Sequence, residues 1–171
     1  PASGNTLEAS GTLEAPFEEV SPFTFRFSGD VDLATISRFY PLDEVGIESL
    51  TGQLATQGEG SGIMQTPEEV RFSGFLNLQN GALKYADVGR PIEQIEADIE
   101  GTQDLVTIRS LSLSAAGNRM SASGSVRNPM SELPEFDMRA DADLDLASLP
   151  EFYPIDQDTL SLSGRFTAEA H

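Results

Sequence analysis

The sequence predicts an all-β protein: an antiparallel repeat sheet, either folded onto itself or curled into an open groove or half-barrel, with a short helical turn in each repeat. Three observations predict it. Apolar and polar residues alternate with period two along most of the chain, the pattern of strands with one dry face. Turn residues punctuate these runs at the spacing of antiparallel meanders. The third observation is an internal repeat of about 113 residues.

The repeat organises everything else. In GNTLEASGTLEAP and GNRMSASGSVRNP, Gly4, Asn5, Ala9, Ser10, Gly11 and Pro16 fall on Gly117, Asn118, Ala122, Ser123, Gly124 and Pro129, each pair 113 positions apart. The same offset brings Phe23 onto Phe136, Arg26 onto Arg139 and Asp30 onto Asp143, and sets DVDLATISRFYPLD on DLDLASLPEFYPID. A one-residue deletion then brings Leu50 and Gly52 onto Leu162 and Gly164. The expected organisation is the C-terminal part of one repeat over residues 1–57 and a second repeat over 58–170, in which 114–170 matches 1–57. The expectation is that together they form one continuous folded unit cut from a longer chain.

Taken in order, the elements follow from the pattern. In FTFRFSGDVDL, Phe23, Phe25, Phe27, Val31 and Leu33 share one face, while Thr24, Arg26, Ser28, Asp30 and Asp32 share the other. LATISRFYP follows, with Leu33, Ile36 and Phe39 at helical spacing, an Asp upstream and a proline at its end. Gly58–Gly62 reads as a flexible hairpin loop, and Asn80-Gly81 as a two-residue hairpin turn, because both of its positions tolerate positive φ. Ile95, Ala97 and Ile99 oppose Gln94, Glu96, Asp98 and Glu100 on the next strand. Further breaks fall at 89–91, 117–118 and 128–134. In the second copy Phe136, Met138, Ala140, Ala142, Leu144 and Leu146 oppose Asp137, Arg139, Asp141, Asp143 and Asp145. LASLPEFYP repeats the helical turn, and Pro150 within it limits that turn to a short plug. Leu160, Leu162 and Phe166 oppose Ser161, Ser163 and Arg165, for about ten strands in all.

Charge narrows the partners. Twenty-eight Asp and Glu against ten Lys and Arg give a net charge of −18, which repels nucleic acid phosphates and anionic membrane surfaces. No run approaches the roughly 20 apolar residues of a spanning helix. The chain has no cysteine, which removes disulfides, thiolate nucleophiles and thiolate metal sites together.

The usual catalytic kit is missing too. The one histidine is the terminal His171, the one lysine is Lys84, and no serine stands in a GxSxG elbow. The expectation is a protein that is not an enzyme and needs no cofactor. The carboxylates lie on polar strand faces and read as solvated surface. Asp141, Asp143 and Asp145 project from one face at about 6 to 7 Å intervals. A solvated ladder is the favoured reading and a bridging calcium the alternative, since the looped backbone and closing Glu of an EF-hand are not seen. GEGSG at 58–62 has no following Lys to make it a phosphate cradle.

A sheet with one apolar face must bury it, and no long helices exist to cover it. The sheet either folds onto itself as a sandwich, with the dry face as core, or curls into a trough that something apolar fills.

At this point the residues resemble a family. The run LNLQNGALKYADVGRPIEQIEADIEGTQDLVTIRSLSLSAAGNRMSASGSVRNP resembles the C-terminal repeat region of AsmA-like proteins, which include TamB-like and YhdP-like envelope proteins. A strand with an NG turn is followed by a P-I-x-x-I strand, a run like VTIRSLSLS and a glycine-led strand ending like SGS. DLDLASL…FYP…LSLSGRF resembles the unit that follows. The resemblance implies a non-catalytic periplasmic β-groove, anchored upstream in the inner membrane. It also implies a role in phospholipid transport between the inner and outer membranes or in outer-membrane biogenesis. Its partners would be phospholipid acyl chains and adjacent repeats of the same parent chain. The groove-lining candidates are Phe23, Phe25, Phe27, Val31, Leu33, Phe136, Met138, Leu144, Leu146, Leu160, Leu162 and Phe166. Small residues such as Ala140, Ala142 and Gly164 would leave room for acyl chains, retained by about 0.8 kcal/mol per buried methylene. The strong acidity departs from the family's expected contact with anionic head groups. The rival reading is a structural or adhesive envelope repeat without ligand.

Overall fold

A computed structural model describes residues 5–15, 20–66, 69–152 and 163–170. Alternation becomes pairing in chain order: nine strands form one antiparallel sheet in which every strand lies beside its sequence neighbours. They are β1 (Thr6–Leu13), β2 (Pro22–Asp32), β3 (Ile47–Ile63), β4 (Arg71–Tyr85), β5 (Ile92–Thr102), β6 (Leu105–Ala115), β7 (Asn118–Arg127), β8 (Glu135–Asp145) and β9 (Arg165–Ala170). The sheet is open, with β1 and β9 as its edges, and not a sandwich. Leu33, Ala97 and Ala115 are the apolar residues buried among those described. The accessible surface is 11994 Å², against about 8,200 Å² for a compact chain of this mass. A single layer explains the excess, because one face of the sheet has nothing stacked on it.

Two of the expected turns are not turns. β3 runs straight through Gly58–Gly62, and β4 straight through Asn80-Gly81. Gly58 and Gly60 are strand residues because the rings of Phe27 and Phe25 lie over them: a Cβ at Gly58 would stand 2.5 Å from a Phe27 ring atom, and one at Gly60 2.4 Å from Phe25. Asn80 has φ 52 and sits where the β4–β5 register slips between Leu78 and Gly81. It is a bulge. One inserted residue moves Leu83 onto the face of Leu78, so the apolar side is kept across the slip. Gln94 (φ 51) does the same between Ile92 and Ile95, and a slip between Ile108 and Leu111 does so in β6. The expected break at 117–118 is a true hairpin turn, with Ala116 at φ 47 and Gly117 at φ 84.

Each expected helical turn is a short 3-10 helix, over Leu33–Arg38 and Leu146–Glu151, the second with Pro150 inside it. A further 3-10 turn covers Leu42–Val45.

The repeat reappears as geometry. β1 pairs β2 from Thr6↔Asp30 to Leu13↔Phe23, and β7 pairs β8 from Arg119↔Asp143 to Val126↔Phe136, the same register 113 residues on. Asp32↔Gln53 through Phe27↔Gly58 becomes Asp145↔Arg165 through Ala140↔Ala170, the one-residue deletion falling in the connection between them. Gly52 (φ 133) and Gly164 (φ 108) precede the paired segments at matching positions, in backbone that favours glycine.

A side-chain knot recurs with the register. The Asp32 amide donates to Asn5 Oδ1 at 2.8 Å, and Asn5 Nδ2 donates to Thr35 Oγ1. The Asp145 amide donates to Asn118 Oδ1 at 2.6 Å, and Asn118 Nδ2 donates to Ser148 Oγ at 2.7 Å. Asp32 and Asp145 each accept from the amide two residues on, at 3.0 Å. Each Asn thus pins the start of a 3-10 turn to the neighbouring arm of the same hairpin.

Candidate functional site

Residues opposite each other in an antiparallel pair share a face, so the register shows where each candidate points. Phe23, Phe25 and Phe27 share a face with Leu13, Gly11 and Ala9 on β1 and with Gly62, Gly60 and Gly58 on β3. Following the pairs across all nine strands, this face continues through Leu54 and Leu78, Leu76 and Ile99, Ile108 and Gly124, and Met138, to Leu144 and Phe166 on β8 and β9. The apolar face is continuous from one edge of the sheet to the other. Much of it is open: Phe136 is 69 % exposed, Phe166 50 % and Leu7 75 %.

The candidates form two groups, on β2 and on β8–β9. Six strand spacings separate β2 from β8, about 29 Å, so the groups belong to one surface but not to one pocket. The Phe23 and Phe25 rings stack with centroids 6.3 Å apart and planes 17° from parallel. Val31 pairs with Leu54, Met138 with Gly124, and Leu144 with Phe166. Leu33 is buried at the start of its 3-10 helix, and Leu146 starts the equivalent helix. Both lie in the caps at the strand ends. Leu160 and Leu162 lie outside the described residues. Of the small residues, Ala140 and Ala142 face the apolar side opposite Ala170 and Ala168.

Sequence reasoning left out most of the middle of the face. Leu76, Leu78, Ile108, Leu111 and Met120, hidden by the bulges, lie on it beside the Ile95, Ala97 and Ile99 that alternation places. The signal was present as a switch of apolar positions from even to odd, at Leu78 to Leu83 and again at Ile108 to Leu111.

The two copies differ in how the face is filled. In the first, the ring of Phe27 lies over Gly58. At the same register in the second, Ala140 stands opposite Ala170. There an apolar hollow of about 200 Å³ opens, lined by Leu111, Leu113, Met120, Ala122, Ala140 and Ala168 among others. A larger depression of about 820 Å³ lies against the other face, among Thr12, Thr24, Arg26, Glu59, Ser61 and Arg71.

That other face carries the charge. Arg26 pairs with Glu59 at 3.1 Å, Arg109 with Glu100, and Arg165 with Asp143. Hydrogen bonding from Arg165 holds the Asp143 carboxyl below its ordinary range, and the same bond raises the Arg165 guanidinium. The aspartate ladder is therefore divided in its duties: Asp143 binds Arg165, and Asp145 caps the 3-10 helix. Among the described residues no three His, Asp or Glu side chains converge as a metal site would require. Among them, too, no helix is long and apolar enough to cross a membrane.

Comparison with known protein families, with characterised proteins and with solved structures finds no match to this chain.

Proposed function

We propose that this chain is a non-catalytic segment of a lipid-conducting β-groove, with the acyl chains of phospholipids held against its apolar face. The observation that carries the reading is an apolar face that crosses nine paired strands with no second layer over it. A sheet that exposes this much apolar surface is expected to have an apolar partner. The resemblance to AsmA-like repeats supplies the setting: a periplasmic, inner-membrane-anchored protein that moves phospholipid towards the outer membrane or serves outer-membrane biogenesis. The hollow beside Ala140 supplies a first place for an acyl chain, and the chain's acidity is carried on the opposite face.

Native mass spectrometry of the purified protein, followed by extraction and lipid analysis, tests the reading. Bound diacyl lipid is expected. The double substitution Ala140→Phe with Ala170→Gly copies the first repeat's filled arrangement into the second. By removing contact with two or three methylenes it should lower lipid retention on the order of tenfold or more. A protein that carries no lipid, and takes none from phospholipid vesicles, would be the ligand-free structural repeat instead.

A further inference from the structure

We infer that the charged face of β1–β4 binds a neutral oligosaccharide. This face is the one opposite the proposed acyl-chain surface, so binding to it does not depend on lipid.

Register defines the surface. One row across the sheet is Ser10, Arg26, Glu59, Ser73 and Thr102, and the next is Thr12, Thr24, Ser61 and Arg71. Both rows line the depression of about 820 Å³, and a second one of about 570 Å³ continues it over Glu8, Ser28 and Gln57. The β5–β6 turn walls one side. Thr102 Oγ1 accepts from the amides of Asp104 at 3.3 Å and Leu105 at 3.1 Å, which holds Gln103 and Asp104 beside the hollow. Three strand spacings, about 14 Å, separate β1 from β4, so the trough is longer than one sugar ring.

Its chemistry is that of a polyol site. The Thr12 and Thr24 hydroxyl oxygens lie 2.7 Å apart, and Arg26 Nε donates to Glu59 Oε2 at 3.1 Å. That ion pair orients both groups while leaving them exposed, with further donors and acceptors for a ligand. Arg26 and Arg71 balance Glu59 and Asp104 around the larger depression, a neutral patch on a chain of net charge −18. The balance favours an uncharged ligand over a polyanion or a cation.

β4 supplies the remaining piece. Arg71, Ser73, Asn77 and Gln79 keep the polar phase of the strand, and Phe75 breaks it. Phe75 stands opposite Gln57 and Glu100, on the charged face, and is 43 % exposed. Gln57 lines the second depression and Ser73, two residues back, the first. Phe75 therefore stands at their common margin. A sugar presents C–H groups on the face of its ring and hydroxyls around its rim. The C–H groups pack on the electron-rich face of an aromatic ring, and the hydroxyls exchange hydrogen bonds with hydroxyl, guanidinium and carboxylate groups. An acyl chain would use Phe75 and leave the polar groups unpaired.

Proton–nitrogen NMR titration of the whole chain with maltohexaose, cellohexaose and chitohexaose provides the test. At least one of the three is expected to shift amides in β1–β4 and the β5–β6 turn, with a Kd of about 1 mM or tighter. Phe75→Ala should weaken binding at least about tenfold, and Phe75→Tyr, which keeps the ring, should not. Asp137→Asn, in the Phe75 row but on β8, should leave it unchanged. The same spectra report whether each variant is folded. No shift with any of the three at about 10 mM would overturn the inference, as would binding that survives Phe75→Ala or tighter binding of the polyanion hexagalacturonate.

Discussion

The hairpins β1–β3 and β7–β9 share a register, a side-chain knot and a 3-10 turn, yet only the first fills its own apolar face. Phe27 covers Gly58 in the first, whereas Ala140 faces Ala170 over a hollow in the second. The frame is set by backbone pairing and by Asn118 or Asn5, which do not care what projects from the apolar side. The filling is set by ring against glycine, and can change without disturbing the frame. A repeat can in this way hold its geometry while differing in how each copy fills its apolar face.

The largest expected effect breaks the frame. Asn118 is 7 % exposed and bonds the Ala115 carbonyl, Ser148 Oγ and the Asp145 amide. Asn118→Ala leaves buried partners unsatisfied and should cost about 2–3 kcal/mol in urea unfolding. Asn5→Ala, at the exposed equivalent, should cost less than about 1 kcal/mol because water replaces the lost bonds. Equal costs would show that the two knots carry equal weight.

A smaller effect tests the filling. Gly58→Ala places a methyl 2.5 Å from the Phe27 ring, so the ring must lift, at about 1–2 kcal/mol. In the Phe27→Ala background, which mimics the second copy, Gly58→Ala should cost about 1 kcal/mol less, a coupling read from a double-mutant cycle. Strict additivity would mean that the ring does not rest on the glycine.

The smallest effect concerns charge. Arg165 stands where the first copy has Gln53, so the pair with Asp143 belongs to the second copy alone. Asp143 has a lowered folded pKa, so its contribution is present above the ordinary carboxylate value of 3.8 and is lost as pH falls through the folded one. Below about pH 4, amide exchange in β9 should rise relative to β3. Arg165→Gln should remove that difference; equal acid sensitivity of the two strands in the parent protein would show the pair to be inert.

Much of the fold was legible, and the errors share one cause. Alternation placed Phe23–Val31 and Phe136–Leu144 on one strand face because each run is short and unbroken, but it carried Leu33 and Leu146 along, which start the 3-10 helices. Gly58–Gly62 and Asn80-Gly81 were misread because glycine signals a turn by backbone freedom, and the same freedom serves a strand that must accept a ring from its neighbour or absorb a bulge. Which use applies depends on the adjacent strand, and that strand is 35 residues away for Phe25 over Gly60. Between its two ends the candidate surface was read only at Ile95, Ala97 and Ile99, since each bulge flips the parity on which period-two reasoning relies.

By itself the sequence determined the strands, the one-sided apolar pattern, the short helical turns and the repeat, because all four are local or periodic properties. Only the tertiary structure decided that the sheet stays one layer with two open edges, that its apolar face is unbroken, and that the second copy is hollow where the first is filled. Those depend on register between strands and on which side chain lies over which neighbour, and composition and spacing fix neither.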